Sequence, residues 1–200
     1  MYIACFGDSI CYGDGVRPEE AWVSLVAAEL TRRWPKARVR NAGVNGETAQ
    51  DGLYRLPMLL APPAPDVLYV QFGLNDAWQN ACSAEEYADA VWEIVRGALE
   101  SGVRNVLAGT NHPVWLEQDM YDWAGFPPRV RQFNVSLRNR LALASGRVAL
   151  ADIEARWDAL GGKQAHVPLL QADGVHLSAV GNRAYAEMLL PMFVRLCGDV

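Results

Sequence analysis

Two short stretches of this chain carry residue types that together suit nucleophilic acyl transfer. Ser9, in Gly7-Asp8-Ser9-Ile10, offers an alcohol, but an alcohol attacks only with a base beside it. The chain has three histidines, His112, His166 and His176. His176 closes Asp173-Gly174-Val175-His176, and a carboxylate three residues earlier reaches an imidazole within one turn. Such a partner fixes the ring tautomer and stabilises the imidazolium that forms when the ring takes the Ser9 proton. An ordinary imidazole pKa, roughly 6.5, suits a base at neutral pH. His112 is a competing base, with Asp119 in reach if the chain folds back, and His166 reads as a solvated loop residue. Spacing favours His176. Neither stretch carries the reading alone, since a serine after a strand more often caps a turn.

Acyl transfer also needs donors for the oxyanion of the tetrahedral intermediate. Gly46 has no side chain to shield its N–H, Asn75 offers a side-chain amide, and Ser9 adds its own N–H. Taken singly, Gly46 is a turn glycine and Asn75 a loop amide. Asp8 and Asp76 are expected to brace these loops by accepting from backbone amides. A metal site there is disfavoured, because no His or Cys cluster accompanies them. Neither GxGxxG after a strand nor a Walker sequence occurs, so the chain lacks a nucleotide's phosphate cradle, and no cofactor is expected.

The elements that must position these residues follow from hydrophobic patterning. Short apolar runs at 2–6, 38–41, 67–72, 103–108 and 147–151 read as strands, several lacking polar alternation, as strands covered on both faces do. Between them lie amphipathic segments. One runs from Pro18 to about Trp34, and one starts at Ser83 with Glu86 completing a capping box. A last one carries Tyr185, Met188, Leu189, Met192, Phe193 and Leu196 on one stripe, with Pro191 expected to kink it. This alternation predicts an α/β fold, with one doubly wound domain over 1–200 and a five-stranded parallel sheet with helices on both faces. Ligands of such sheets bind beyond the carboxyl ends of the strands, where strand order reverses. With the first strand between the next two, the loops bearing Ser9, Gly46 and Asn75 meet there. Two connections are long and aperiodic, 110–128 and 152–172, the second holding one short helix near 153–160. In the first, His112, Trp115, Tyr121, Trp123 and Phe126 are candidates for a substrate pocket, or for an aromatic cover over a sheet edge.

Phe6-Gly7-Asp8-Ser9-Ile10, Gly46 before Glu47-Thr48, Gly73-Leu74-Asn75-Asp76 and Asp173-Gly174-Val175-His176 resemble, in order and spacing, the four blocks of the SGNH or GDSL-type hydrolases. The likeness spans nearly the whole chain; Ile10 stands where leucine is commoner in that family, a mild apolar change. The resemblance implies a flavodoxin-like sheet and ester hydrolysis. It makes Ser9 the nucleophile, His176 the base, Asp173 its orienter, and Ser9, Gly46 and Asn75 the oxyanion hole. No GxSxG elbow is present, which excludes the α/β-hydrolase solution. The activity expected is a serine esterase acting on a small-molecule acyl ester through an acyl-enzyme. The alternatives are a thioesterase, lysophospholipase or carbohydrate O-deacetylase with the same residues, or a non-catalytic flavodoxin-like binding module.

Composition narrows the partners. With Lys plus Arg at 18 and Asp plus Glu at 23, the net charge of −5 argues against a nucleic-acid clamp, and the basic run Arg32, Arg33, Lys36, Arg38, Arg40 reads as a solvated edge. No apolar run is long enough for a membrane span. The start, MYIACFGDS, lacks the basic segment of a secretion signal, and Cys5, Cys11, Cys82 and Cys197 form no disulfide framework. A reduced, cytoplasmic protein is expected, with its oligomeric state left open.

Overall fold

The computed structural model describes residues 1–80, 82–115, 125–144 and 146–198. Five strands, β1 (Tyr2–Gly7), β2 (Arg38–Gly43), β3 (Val67–Gln71), β4 (Asn105–Gly109) and β5 (Val148–Ala151), form one all-parallel sheet in the order β2-β1-β3-β4-β5. The α/β architecture is the one the alternating pattern predicts. Position in the sheet explains why the runs differ in composition. Every residue of β3, and all of β1 after Tyr2, is buried, so they are nearly pure hydrophobic stretches. The edge strand β2 exposes Arg38, Arg40 and Asn41 and so can carry them.

Helices cover both faces. On one, α2 (Trp22–Arg33) packs against α9 (Ala179–Gly198), and Tyr69 of β3 meets Trp22 edge-on at 5.1 Å between ring centroids. On the other, α5 (Ala84–Glu100) packs between α3 (Ala49–Leu59) and α6 (Phe126–Leu141), where Tyr87 stacks on Phe133 at 4.8 Å. The shorter helices are α1 (Ser9–Tyr12), α4 (Leu74–Gln79), α7 (Ile153–Asp158) and α8 (Lys163–His166). Ser83 and Glu86 form the capping box of α5. Among the described residues no helix is long and apolar enough to cross a membrane.

Several boundaries differ from the sequence expectations. The segment from Pro18 is a single 3-10 turn, Pro18–Glu20, and α2 begins only at Trp22, because Ala21 is extended. In α9 the buried stripe runs through Asn182, Tyr185, Leu189, Phe193 and Cys197, leaving Met188, Met192 and Leu196 half-buried, and the helix continues through Pro191 to Gly198. The stretch thought aperiodic to 128 already holds the start of α6. Pro127 and Pro128 fall in its first turn, where a missing N–H costs no hydrogen bond. The 152–172 connection carries α7, α8 and a 3-10 turn, Val167–Leu169.

Candidate active site

β1 lies between β2 and β3, so strand order reverses at β1 and β3 and their following loops open on one edge. Ser9 is the first residue of α1, directly beyond β1. Asp8 caps that helix, its Oδ1 accepting from Ile10 N at 2.9 Å, which turns the chain and leaves Ser9 8% exposed. Beyond β2, Gly46 has φ +81°, a left-handed conformation that favours glycine, and a Cβ there would meet nothing within 4 Å. Open space therefore adjoins this backbone, and no described backbone acceptor takes its N–H. Beyond β3, Gly73 has φ +124°, and a Cβ would sit 2.5 Å from Asn111 Nδ2. This tight start sets α4, whose Asn75 donates one Nδ2 hydrogen to Glu47 O at 2.9 Å, leaving the other free to turn toward a ligand.

The loops are cross-tied. Both carboxylate oxygens of Asp76 accept from Ala49 N, at 3.0 and 3.1 Å, joining α4 to the start of α3. Arg55 reaches back from α3 to the Glu47 carboxylate at 2.8 Å and to Ala42 O at 3.0 Å. Burial pushes the Asp76 carboxyl up to about 6. Burial also pushes Asp8 up to about 7, against the pull of the Ile10 N–H and with Asp76 adding to the rise. Asp8 Oδ2 is buried and has no hydrogen-bond partner among the described residues.

The last part arrives from the far end of the chain. Asp173 Oδ1 accepts from Val175 N at 2.9 Å and His176 N at 3.0 Å, while its Oδ2 lies 2.6 Å from His176 Nδ1. One carboxylate thus shapes the turn and orients the ring. With Nδ1–H given to Asp173, His176 Nε2 is left as an acceptor, and it lies 2.9 Å from Ser9 Oγ. The alcohol, imidazole and carboxylate form one hydrogen-bonded row across 167 residues of sequence. The Asp173 hydrogen bond raises the imidazole pKa above its usual value despite partial burial. Burial disfavours the Asp173 charge, but the hydrogen bonds from His176 and from the Val175 and His176 N–H groups outweigh it and hold the carboxyl below its usual range.

The competing histidines are elsewhere. His112 is wholly buried, stacked on Trp157 at 4.9 Å, its Nε2 2.8 Å from Val175 O and its Nδ1 3.3 Å from Tyr185 Oη. It therefore presents no face to a cleft, and burial lowers its pKa to about 4. His166 is not solvated: its Nε2 donates to Trp157 O at 2.7 Å and its Nδ1 accepts from Trp115 Nε1 at 2.9 Å. Phe126 is also buried, edge-on to Trp78. Trp115 lines a cavity of about 250 Å³ with Pro113, Val114, Pro127 and Pro128, whose lining does not include Ser9 or His176. Tyr121, Trp123 and Asp119 lie outside the described residues.

Sequence reasoning missed the groups that hold the 173–176 turn. Trp115 N donates to Gly174 O at 2.9 Å, His112 Nε2 to Val175 O, and Gln171 N to His176 O at 2.7 Å, so three successive carbonyls are each taken. It also missed Asp14, whose Oδ2 is 3.9 Å from His176 Nε2. These pairings join segments distant in sequence, and no local spacing announces them. Among the described residues, no three His, Cys, Asp or Glu side chains gather as a metal-holding group.

The chain is similar to characterised proteins along most of its length. It is 26% identical over 185 residues to Esterase TesA of Pseudomonas aeruginosa, covering 92% of this chain and 84% of that protein. A crystal structure of TesA superposes with a TM-score of 0.79 at 24% identity, over 98% of this chain and 99% of that one. The acetyl xylan esterase AlAXEase superposes with a TM-score of 0.80 at 21% identity, over 96% and 99% of the two chains. These two superpositions speak to the fold alone. The sequence profile of the GDSL-like lipase/acylhydrolase family matches residues 5–184, from the strand before Ser9 to the helix after His176, and the chain belongs to that family.

Proposed function

We propose that the protein is a serine esterase that hydrolyses small-molecule carboxylic esters through an acyl-enzyme. The reading is carried by the row Ser9 Oγ–His176 Nε2–Asp173, with separations of 2.9 and 2.6 Å. In this mechanism Ser9 Oγ attacks the ester carbonyl carbon as its proton passes to Nε2. The carbonyl oxygen becomes an oxyanion held by the Ser9 and Gly46 N–H groups and the free Asn75 Nδ2 hydrogen. The Ser9 N–H is available because the first N–H of a helix has no acceptor within it. The tetrahedral intermediate collapses, the alcohol oxygen leaves with the Nε2 proton, and the acyl group stays on Ser9. Water, losing a proton to Nε2, then attacks the acyl-enzyme; the acid departs and Ser9 regains its proton. Asp173 stays ionised throughout and keeps Nδ1 protonated. Support for the substrate class comes from membership in an acylhydrolase family and from the esterase names of its relatives.

A serine-reactive phosphonate and an aryl acetate test the reading together. Folded protein is expected to form one adduct, on Ser9, and Ser9→Ala is expected to lose labelling and to lower kcat for the aryl ester by about 10⁴-fold. Labelling elsewhere, or undiminished turnover in Ser9→Ala, would overturn Ser9 as the nucleophile, and folded wild type that neither labels nor turns over would leave the binding-module reading standing.

A further inference from the structure

His176 carries a carboxylate at each edge of its ring. Asp173 takes the Nδ1 edge; at the other, Asp14 Oδ2 lies 3.9 Å from Nε2. Asp14 is held from three sides: Asn45 Nδ2 donates to its Oδ1 at 2.6 Å, its N–H donates to Ser9 O at 3.1 Å, and its carbonyl accepts from Gln171 Nε2 at 2.7 Å. No Lys or Arg among the described residues pairs with Asp14 or Asp173. In the esterase reading, on which this inference rests, Nε2 passes its proton to the departing alcohol oxygen. That oxygen must come within hydrogen-bond reach of Nε2, so the alcohol's first atoms lie only a few ångströms from the Asp14 carboxylate.

We propose that Asp14 selects the alcohol half of the substrate, admitting esters of neutral or cationic alcohols and rejecting those with an anionic group close to the ester oxygen. A fixed negative charge repels an anionic leaving group in the bound state and as it departs, and attracts an ammonium in both. The Asp14 side chain is 40% exposed, so substrate can reach it and salt screens it. The two segments that the Asn45–Asp14 hydrogen bond joins also expose Tyr12, at 55%, and Val44, at 40%. These give an alcohol of some bulk an apolar and aromatic surface, which an ammonium accepts as readily as a neutral group. The substrate class is thus an uncharged or ammonium-bearing ester, in contrast to esters whose alcohol carries a phosphate within a few atoms of the ester oxygen.

Three acetate esters of matched alcohol length test this: one ending in a methyl group, one in trimethylammonium and one in sulfonate. Each is assayed for kcat/KM with wild type and Asp14→Asn, at low and high salt and at a pH on the plateau of both enzymes. Asparagine keeps the oxygen that accepts from Asn45. Wild type is expected to rank ammonium above neutral above sulfonate. The ammonium-to-sulfonate ratio is expected to fall at least about fivefold in Asp14→Asn and to shrink with salt. Brisk hydrolysis with the same ratio in both enzymes overturns the role of Asp14 and leaves the esterase reading intact. Hydrolysis of none of the three, with Ser9 also inert to the phosphonate, overturns the esterase reading and this inference with it.

Discussion

Ser9, Gly46 and Asn75 follow β1, β2 and β3, three neighbouring strands of one sheet, whereas Asp173 and His176 sit on a turn that follows no strand directly. The first group inherits its geometry from strand register, and helix caps fix it further: Asp8 on Ile10 N, Asp76 on Ala49 N. The second is held mainly by hydrogen bonds, from Asp173 inside the turn and from Trp115, His112 and Gln171 to its carbonyls. The side that the proposed mechanism makes the nucleophile's is thus positioned by the sheet. The base side is as well placed as a handful of polar contacts allow, and it is the more sensitive to single side chains.

Breaking the contact that shapes and orients at once gives the largest effect. In Asp173→Asn the amide can no longer hold Nδ1–H, so Nε2 loses its acceptor tautomer, and kcat is expected to fall roughly 10²- to 10⁴-fold. The residual activity carries a signature. His176 acts as base only when neutral, and its pKa is raised by Asp173, so the acid limb of kcat/KM in wild type lies above the ordinary imidazole value. Removing the carboxylate is expected to move that limb to lower pH. A limb that stays in place would assign it to another group.

The nucleophile side is sharpened through stability rather than turnover. Asp8 titrates near 7 in the folded protein and near 3.8 when exposed, so the fold binds its proton more tightly than the unfolded chain does. The associated stability is full below about pH 4 and is lost as pH rises through about 7. Asp8→Asn keeps an oxygen for the Ile10 N–H and cannot ionise. The difference in unfolding free energy, variant minus wild type, is therefore expected to rise by on the order of 3 kcal/mol between pH 4 and pH 8. Parallel stability curves for the two proteins would show that Asp8 stays ionised throughout.

This division also marks what the sequence makes legible. Buried β1 and β3 announce themselves as unbroken apolar runs, and the segments after them carry their chemistry within a few residues, as does Asp173 with His176. Such local signals suffice for the sheet and for the row at its edge. The supports of the 173–176 turn are silent, because His112 and Val175 are 63 residues apart and nothing beside either names the other. His166 reads as a loop residue because its partners, Trp115 and Trp157, come to it only by tertiary packing. The start of α6 is masked by Pro127-Pro128, which suit a first helical turn as well as they suit a loop.

The smallest expected effect probes the most hidden of those supports. His112 is neutral at any assay pH above about 5, since burial holds its pKa near 4, so it acts on the turn as a fixed donor rather than as a charge. Its Nε2–H serves Val175 O, and its Nδ1 accepts from Tyr185 Oη, which itself accepts from Gln71 Nε2 at 2.7 Å. His112→Phe preserves the ring over Trp157 but strands Val175 O, a half-buried acceptor whose lost partner costs up to about 1–3 kcal/mol. Part of that cost is relieved if the turn shifts, and a shift of the turn carries the His176 ring away from Ser9. The expected result is a kcat about tenfold lower with KM nearly unchanged, because the acyl and alcohol surfaces are untouched while the proton transfer is misaligned. His112→Gln, whose amide donor reaches about as far as Nε2, is expected to restore most of the rate. A merely structural role for His112 predicts instead that both variants lose stability and retain the wild-type kcat of whatever fraction stays folded.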